Sequence, residues 1–504
     1  MSGSGPTPTG ISLRRRRAIT AGLLLGMSLG AMEATVVGTA MPTVIASLGG
    51  LAHYSWVFSA YLLTSTASVP IWGRLSDLYG RRRMYLMGIG VFLAGSAASG
   101  AAGSMAQLIA ARAFQGLGAG ALVPLSMTII GELYTMAERA RTQALFSGVW
   151  GVASVAGPLV GGYVTDSLSW RWVFLLNLPL GVLALGVIAW AYPPSRRAAH
   201  VTVDWMGAAL LFGGVSTLLL AIGGDTGAGI WWLVLAAGLL VTFWRVERQA
   251  PEPLLPLDLL RDPLMARTIA VVFLVGVALF GCIAFIPLFV QGVLGGSATE
   301  AGQVLTPLFL GWVVMSIVGA RLTLGLGYRP VAIGGSILMT IGFAGLTRLT
   351  PSSARTTIFL WGSLIGSGMG CSMLSQLLAV QQAVPRSRLG IATSLNQFSR
   401  SVGAAIGVAV MGAILSRGLA GDVPIDEVAA DAGLLGGAHA PALAAALHTV
   451  FVACALASAA GLVAALMLPA MRFAGGRPPE GVPEPTVPGT PASRPREERV
   501  SLTE

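Results

Sequence analysis

Lysine is absent from this chain, and acidic and basic residues together make up only 10% of its 504 positions. Without lysine no glycine-rich loop can end in Gly-Lys-Ser or Gly-Lys-Thr, which removes the phosphate cradle of ATP-driven machines. So little charge cannot dress a soluble globule of this size with a wettable surface. Cysteine is scarce as well. Cys282, Cys371 and Cys454 lie far apart inside apolar runs, so neither a disulfide framework nor a metal cluster is expected, and no motif calls for a cofactor.

Hydrophobic residues fill 54% of the chain, and its mean hydropathy is +0.77. Lipid is therefore the expected solvent for most of this surface. The 67 glycines and 12 tryptophans fit that environment, because small residues let membrane helices approach closely and indoles collect at the headgroup level. About fourteen apolar runs of roughly 18–25 residues, the first at about 18–45 and the last at about 446–470, are each long enough to cross ~30 Å of hydrocarbon as a helix. The fold class expected is an all-α polytopic membrane protein. Arg14 to Arg17 lead into a first run too long for a signal h-region and with no small-residue cleavage site before Pro42, so that run is expected to stay as the first span.

A net charge of +10 would point a soluble protein toward nucleic acid, but here the arginines are spread through short loops, and no nucleic-acid partner is expected. With the N-terminus placed inside, 25 of the 31 arginines fall on one side, among them Arg14–Arg17, Arg81–Arg83 and the five of the tail. Arg171, Arg348, Arg355 and Arg417 fall in opposite loops, and Arg112 and Arg400 fall within spans. That distribution obeys the positive-inside rule and places both termini in the cytoplasm. The expected organisation is a basic segment at 1–17, a six-helix bundle at 18–192, two additional helices with linkers at 193–266, a second six-helix bundle at 267–471 and a Pro-, Glu- and Arg-rich disordered tail at 472–504. The acidic stretch between 418 and 441 reads as an outer loop.

Ionisable groups inside spans are the candidates for function. Glu33 lies near the middle of span one, Arg112 in the first half of span four and Arg400 inside span thirteen. A carboxylate in hydrocarbon is costly unless neutralised or paired, so Glu33 reads as a group able to take up and release a proton. Arg112 keeps its charge, and its approach and retreat could unload and load that proton. The alternative is a static ion pair tying helices one and four together. Arg400 stands beside Asn396, Gln397 and Ser399, either as a cavity group or as part of an internal polar seam.

Between spans two and three stands Gly73-Arg74-Leu75-Ser76-Asp77-Leu78-Tyr79-Gly80-Arg81-Arg82-Arg83, a tight charged turn suited to act as a latch. Arg321, Gly327 and Arg329 repeat the spacing of Arg74, Gly80 and Arg82 at an offset of 247 residues, with Leu324 in place of Asp77. An internal duplication follows, two parallel repeats of six spans with spans seven and eight left over between them.

The turn at Gly73–Arg83 resembles the signature loop of the major facilitator superfamily. Glu33-Ala34-Thr35-Val36-Val37-Gly38-Thr39-Ala40-Met41-Pro42 is similar to the first-helix motif of its fourteen-spanner drug:proton antiporter branch, with Glu33 in place of the usual aspartate. Arg112-Ala113-Phe114-Gln115-Gly116 resembles the motif whose arginine is linked with proton transfer there. Gly157-Pro158-Leu159-Val160-Gly161-Gly162 resembles the antiporter motif that marks exporters, with Ala153 where the fuller pattern has glycine. Trp170–Phe174 with Asn177-Leu178-Pro179, and Leu389–Gln397, extend the likeness over about residues 15 to 470.

The resemblance implies a carrier, not an enzyme, in a bacterial plasma (inner) membrane, working by alternating access as a proton-coupled exporter. Glu33 and Arg112 would couple protons, Gln115, Asn396, Gln397 and Arg400 would offer polar contacts to the cargo, and Gly73, Arg74, Asp77, Gly80, Arg81, Gly157, Pro158, Gly161 and Gly162 would serve gating. The partners expected are the lipid bilayer, protons and a small amphipathic cargo, with the chain acting as a monomer. The single embedded acid favours a lipophilic cation. Export of a lipid, siderophore or other metabolite is the alternative, followed by proton-linked import.

Overall fold

The computed structural model describes residues 11–134, 136–194, 205–223, 229–249, 258–384, 388–419 and 440–470. The tail at 472–504, Arg196 and Arg197, and the 420–439 part of the acidic stretch lie outside them. Among the described residues are fifteen α-helices, two short 3-10 turns and no strand. The first group is α1 (Leu13–Leu48), α2 (Tyr54–Tyr79), α3 (Arg81–Gly100), α4 (Met105–Leu133), α5 (Met136–Ser167), α6 (Arg171–Leu175) and α7 (Asn177–Ala191). After α8 (Trp205–Gly223) and α9 (Gly229–Gln249) come α10 (Pro263–Gly292), α11 (Ala298–Leu326), α12 (Tyr328–Leu346), α13 (Arg355–Ala383), α14 (Leu389–Leu419) and α15 (Ala440–Leu466).

A helix stands at each of the fourteen expected positions, with α6 and α7 sharing one. Several overrun the apolar run that marks them: α1 begins at Leu13 and ends at Leu48. Hydropathy reports only the lipid-facing stretch, whereas backbone hydrogen bonding continues into the headgroup layer. Among the described residues, eleven runs are long and apolar enough to cross a membrane, counting α6 and α7 together. The helices α2, α3 and α5, with 26, 20 and 32 residues, have the length, but Gly, Ser, Thr and charged side chains dilute their hydropathy.

The duplication seen in the Arg74 and Arg321 turns extends into the packing. Both turns break on a glycine with positive φ, Gly80 at 91° and Gly327 at 87°. A Cβ on Gly118 of α4 would stand 2.3 Å from the Phe92 nitrogen and 2.7 Å from the Gly88 carbonyl of α3. Likewise, a Cβ on Gly368 of α13 would stand 2.4 Å from the Gly335 carbonyl and 2.6 Å from the Met339 nitrogen of α12. The two crossings therefore match, at offsets of 247 and 250 residues. Backbone this close leaves no room for a methyl group. We expect Gly118→Val to cost about 3 kcal/mol or more in micelle unfolding, whereas Gly73→Ala, which meets nothing within 4 Å, should be neutral or slightly stabilising.

The helices α8 and α9 pack on each other, and α8 leans on α2 and α14. Most of α9 faces outward, with Trp231, Val234 and Trp244 exposed, as a lipid-facing helix should be. The first and last groups meet along α5 with α11, α2 with α14, and α1 with α10. Their hydrogen bonds gather toward one end. Gln291 donates to the Thr39 carbonyl at 2.9 Å, Ser59 to the Ala405 carbonyl at 3.3 Å, and the Tyr54 hydroxyl to the Ala284 carbonyl. At the same end Asp166, in the last turn of α5, accepts from the Ala298 and Thr299 backbone nitrogens of α11 at 3.1 and 2.7 Å.

Candidate functional site

Glu33 and Arg112 meet. The Arg112 guanidinium forms an ion pair with Glu33, and both side chains are essentially inaccessible, at 0% and 2% exposure. The same Nη1 donates to Gln115 Oε1 at 2.7 Å, one helical turn away on α4, and Nε donates to the Val57 carbonyl of α2 at 3.2 Å. The guanidinium lies 4.1 Å over the Tyr61 ring and 5.7 Å over that of Phe174, where a cation gains from the ring faces.

The second carboxylate oxygen of Glu33 accepts from Asn177 Nδ2 at 2.6 Å. Asn177 opens α7, separated from the short α6 by the single turn residue Leu176, and Pro179 fits the first turn of α7 without losing a hydrogen bond. Asn177 also donates to Ser96 Oγ at 2.9 Å, and Gln115 Nε2 donates to the same oxygen at 3.2 Å. Glu33, Arg112, Gln115, Ser96 and Asn177 thus close a polar circuit drawn from α1, α3, α4 and α7. Every link is made, which is what burial of polar groups at this depth demands. Ser96, Asn177 and Tyr61 had not been singled out from the sequence. As uncharged groups within apolar spans they carry no signal of their own, although Asn177 stands in a motif that resembles the family's.

The repeat gives this circuit no second copy. The positions 250 residues beyond Arg112 and Gln115 are Gly362 and Ile365, and the position 247 beyond Ser96 is Phe343. Asn396, Gln397 and Arg400 lie on α14, in the other half, and do not join it. Asn396 is buried, Gln397 exposed and Arg400 half-buried.

At the signature turn, Arg81 pairs with Asp77 at 3.2 Å and forms a second ion pair with Glu132 at the end of α4. Arg82 donates to the Ala189 carbonyl of α7, and the Tyr192 hydroxyl donates to Glu132 at 3.2 Å. These bonds tie α2, α3, α4 and α7 together within the first half. Glu132 passed for an ordinary helix-end acid in the sequence. In the second half, the Arg388 hydrogen bond to Asp258, and with it the arginine charge, hold that carboxyl below the usual carboxylate range. Both partners of that pair are 52% exposed, so it stabilises little.

The Gly157–Gly162 segment is a packing surface on two sides. A Cβ on Gly157 would meet Thr35 Oγ1 at 2.0 Å, and one on Gly161 would meet the Val36 carbonyl at 2.7 Å, so α5 lies directly on α1. Gly162 faces the Ala298 carbonyl of α11, and Gly302 of α11 faces the Pro158 carbonyl. Gly403 and Gly407, 246 residues on, place α14 on α10 against the Phe273 and Val277 carbonyls in the same way. The three cysteines are free and buried, and no group of metal-ligating side chains occurs among the described residues.

Two helical groups that repeat the same turn and the same close crossing, with a fully bonded charged circuit inside one of them, make a polytopic membrane protein. The chain belongs to the Major Facilitator Superfamily, whose profile matches residues 23–408, and that match makes it a carrier rather than an enzyme. It is 38% identical over 409 residues to the multidrug transporter protein MdtP of Bacillus subtilis (strain 168), covering 80% of this chain and 76% of that one. Multidrug resistance protein 3 of the same organism is also 38% identical, over 405 residues and 79% of each chain. Among solved structures, an inward-facing bacterial homologue of the human lysosomal transporter Spinster superposes with a TM-score of 0.67 at 18% identity, over 91% of this chain and 98% of the other. A D-xylose–proton symporter does so with a TM-score of 0.62 at 14% identity, over 90% and 97%.

Proposed function

We propose that this transporter exports lipophilic small molecules in exchange for protons, by alternating access, across a bacterial plasma membrane. The observation that carries the reading is the closed circuit around Glu33, an ionisable acid held at membrane depth by partners from two other helices. The names of its 38% identical relatives, a multidrug transporter and a multidrug resistance protein, support drug-type cargo. On this reading the chain crosses the membrane fourteen times, with α2, α3 and α5 among the spans and both termini in the cytoplasm. The joined end of the two halves is then the outer end, and the conformation faces inward.

Both Glu33 oxygens are occupied here by N–H donors, which suits an ionised carboxylate. Rocking that draws Arg112 and Asn177 away would leave that charge in apolar surroundings, and a proton relieves it. Re-forming the circuit expels the proton. Arg112 and Asn177 therefore act on Glu33, and Gln115 and Ser96 set their positions, so Gln115 serves the coupling site rather than the cargo. Gly157, Pro158, Gly161 and Gly162 let α5 pivot between α1 and α11. The Gly73–Arg81 turn, with Arg74, Asp77, Gly80 and Glu132, braces the cytoplasmic side when the other end opens.

The case for a cationic cargo rested on Glu33 standing alone. Arg112 neutralises it, so that argument no longer holds. The test uses liposomes with an acidic interior and a lipophilic fluorescent dye. Wild type should accumulate dye in exchange for protons, and Glu33→Gln should fall to the level of empty liposomes while retaining its micelle elution profile. Gradient-driven accumulation by a well-folded Glu33→Gln protein would remove Glu33 from the coupling role.

A further inference from the structure

Two of the buried polar groups outside the circuit lie on α14. Asn396 is 6% exposed, and its Nδ2 has no hydrogen-bond partner among the described residues. Arg400, one turn further along the same face, has an enclosed Nε that is likewise unpartnered. No ion pair among the described residues includes it. The neighbouring sectors of α14 are taken. Ser399 donates to the Ile269 carbonyl of α10 at 3.1 Å, and Gly403 packs on the same helix. Phe398, Ser401, Val402 and Ala405 line a small apolar cleft with Leu62 of α2 and Leu211 of α8. Thr393 accepts from Gln381 of α13 at 3.3 Å. Asn396 and Arg400 occupy the sector between the α10 and α13 contacts, beside exposed Gln397. That cleft sets them level with the middle of α2, deep in the apolar part of the fold.

Arginine stays protonated, and an unbalanced cation at this depth is costly. Glu33 and Arg112 balance each other, whereas Arg400 has no such partner among the described residues. Its Nε–H and the Asn396 amide are donors without acceptors, on one face, beside an exposed polar residue. We infer that Arg400 and Asn396 form an anion-binding subsite on the transport path, and that the cargo carries an acidic group, a sulfonate, carboxylate or phosphate, on a lipophilic body. The inference rests on the exporter reading for the path, but the subsite is defined by binding alone. Arg400 supplies the charge and a directional fork, and Asn396 adds a second N–H to the same acidic group.

The test compares three pyrene-butyl probes with sulfonate, hydroxyl and trimethylammonium heads, none of which titrates near neutrality. Binding to the full chain is measured in uncharged detergent with no pH gradient. Wild type should bind the sulfonate about ten- to a hundredfold more tightly than the alcohol, and the trimethylammonium probe no more tightly than the alcohol. Arg400→Gln should erase the sulfonate's advantage and leave alcohol affinity in place, Arg400→Lys should restore part of it, and Asn396→Ala should reduce it. Equal binding of sulfonate and alcohol by wild type, or an undiminished advantage in Arg400→Gln, overturns the inference. The wild-type comparison stands even where a variant fails to fold. Added phosphatidylglycerol separates cargo from lipid: displacement of the sulfonate by this lipid, with no sulfonate transport in vesicles, makes the site a headgroup site and overturns the cargo assignment. Intact sulfonate binding without proton-driven transport of any probe overturns the exporter reading and leaves the subsite standing.

Discussion

Glu33→Ala should lower the unfolding free energy in mixed micelles by about 3–5 kcal/mol, the loss expected when one partner of a buried ion pair is removed. The substitution strands Arg112, whose side chain is only 2% exposed, and frees Asn177 and Gln115 from the order the circuit imposes. Glu33→Gln should lose less, because an amide fills the same volume and still accepts from one donor, although it too leaves the Arg112 charge unbalanced. Removing both charges in Glu33→Ala/Arg112→Ala should recover part of the deficit, since no buried ion is then left alone. Chemical unfolding of wild type, Glu33→Ala, Arg112→Ala and the double variant measures the coupling directly. A double variant no more stable than the additive sum would mean that the two charges do not act as a unit. The same experiment separates stability from transport, because Glu33→Gln is expected to fold and yet fail to couple.

The pairing of Glu33 with Arg112 was legible in the sequence for a simple reason: an acid and a base stranded in two apolar spans have few other ways to be neutralised. The bond from Arg112 to Gln115, one turn along α4, was not legible, since Gln115 reads from the sequence as a polar contact for the cargo. Asn177 and Ser96 were not legible as ligands, because uncharged polar residues are common in membrane helices and nothing in their spacing to Glu33, 144 and 63 positions away, points to contact. The helix positions could be read from hydropathy, but their ends could not, since the rise of a helix does not stop where lipid does. The match between Gly161 and Gly407 was missed although it falls within one residue of the Arg74 and Arg321 offset. Glycine pairs carry so little information that the common carbonyl contact becomes visible only in three dimensions.

Asp166→Ala should shift the transporter toward a form open at the end that α5 and α11 now hold shut. Asp166 was an unremarked acid at a helix end, but its carboxylate spans the two halves. It accepts from the Ala298 and Thr299 nitrogens and from the Thr299 hydroxyl, the first turn of α11, where unpaired N–H groups and the helix dipole favour negative charge. That turn is itself fixed by the Ser297–Glu300 capping box and by the Arg355–Glu300 ion pair, so it offers a rigid receptor. A hydrogen bond to a charged group contributes about 1.5–3 kcal/mol, which corresponds to roughly a ten- to hundredfold change in the ratio of closed to open forms. Nearby glycine contacts at Gly162 and Gly302 would survive the substitution, so the fold should keep its stability while the equilibrium moves. Spin labels at Ala101 and Ser352, exposed positions on the two halves at this end, would report it. After the three native cysteines are replaced, the distance distribution should gain a longer component in Asp166→Ala and a smaller one in Asp166→Asn, whose amide oxygen still accepts one bond. An unchanged distribution in Asp166→Ala would show that the apolar contact between α5 and α11 closes this end without the carboxylate.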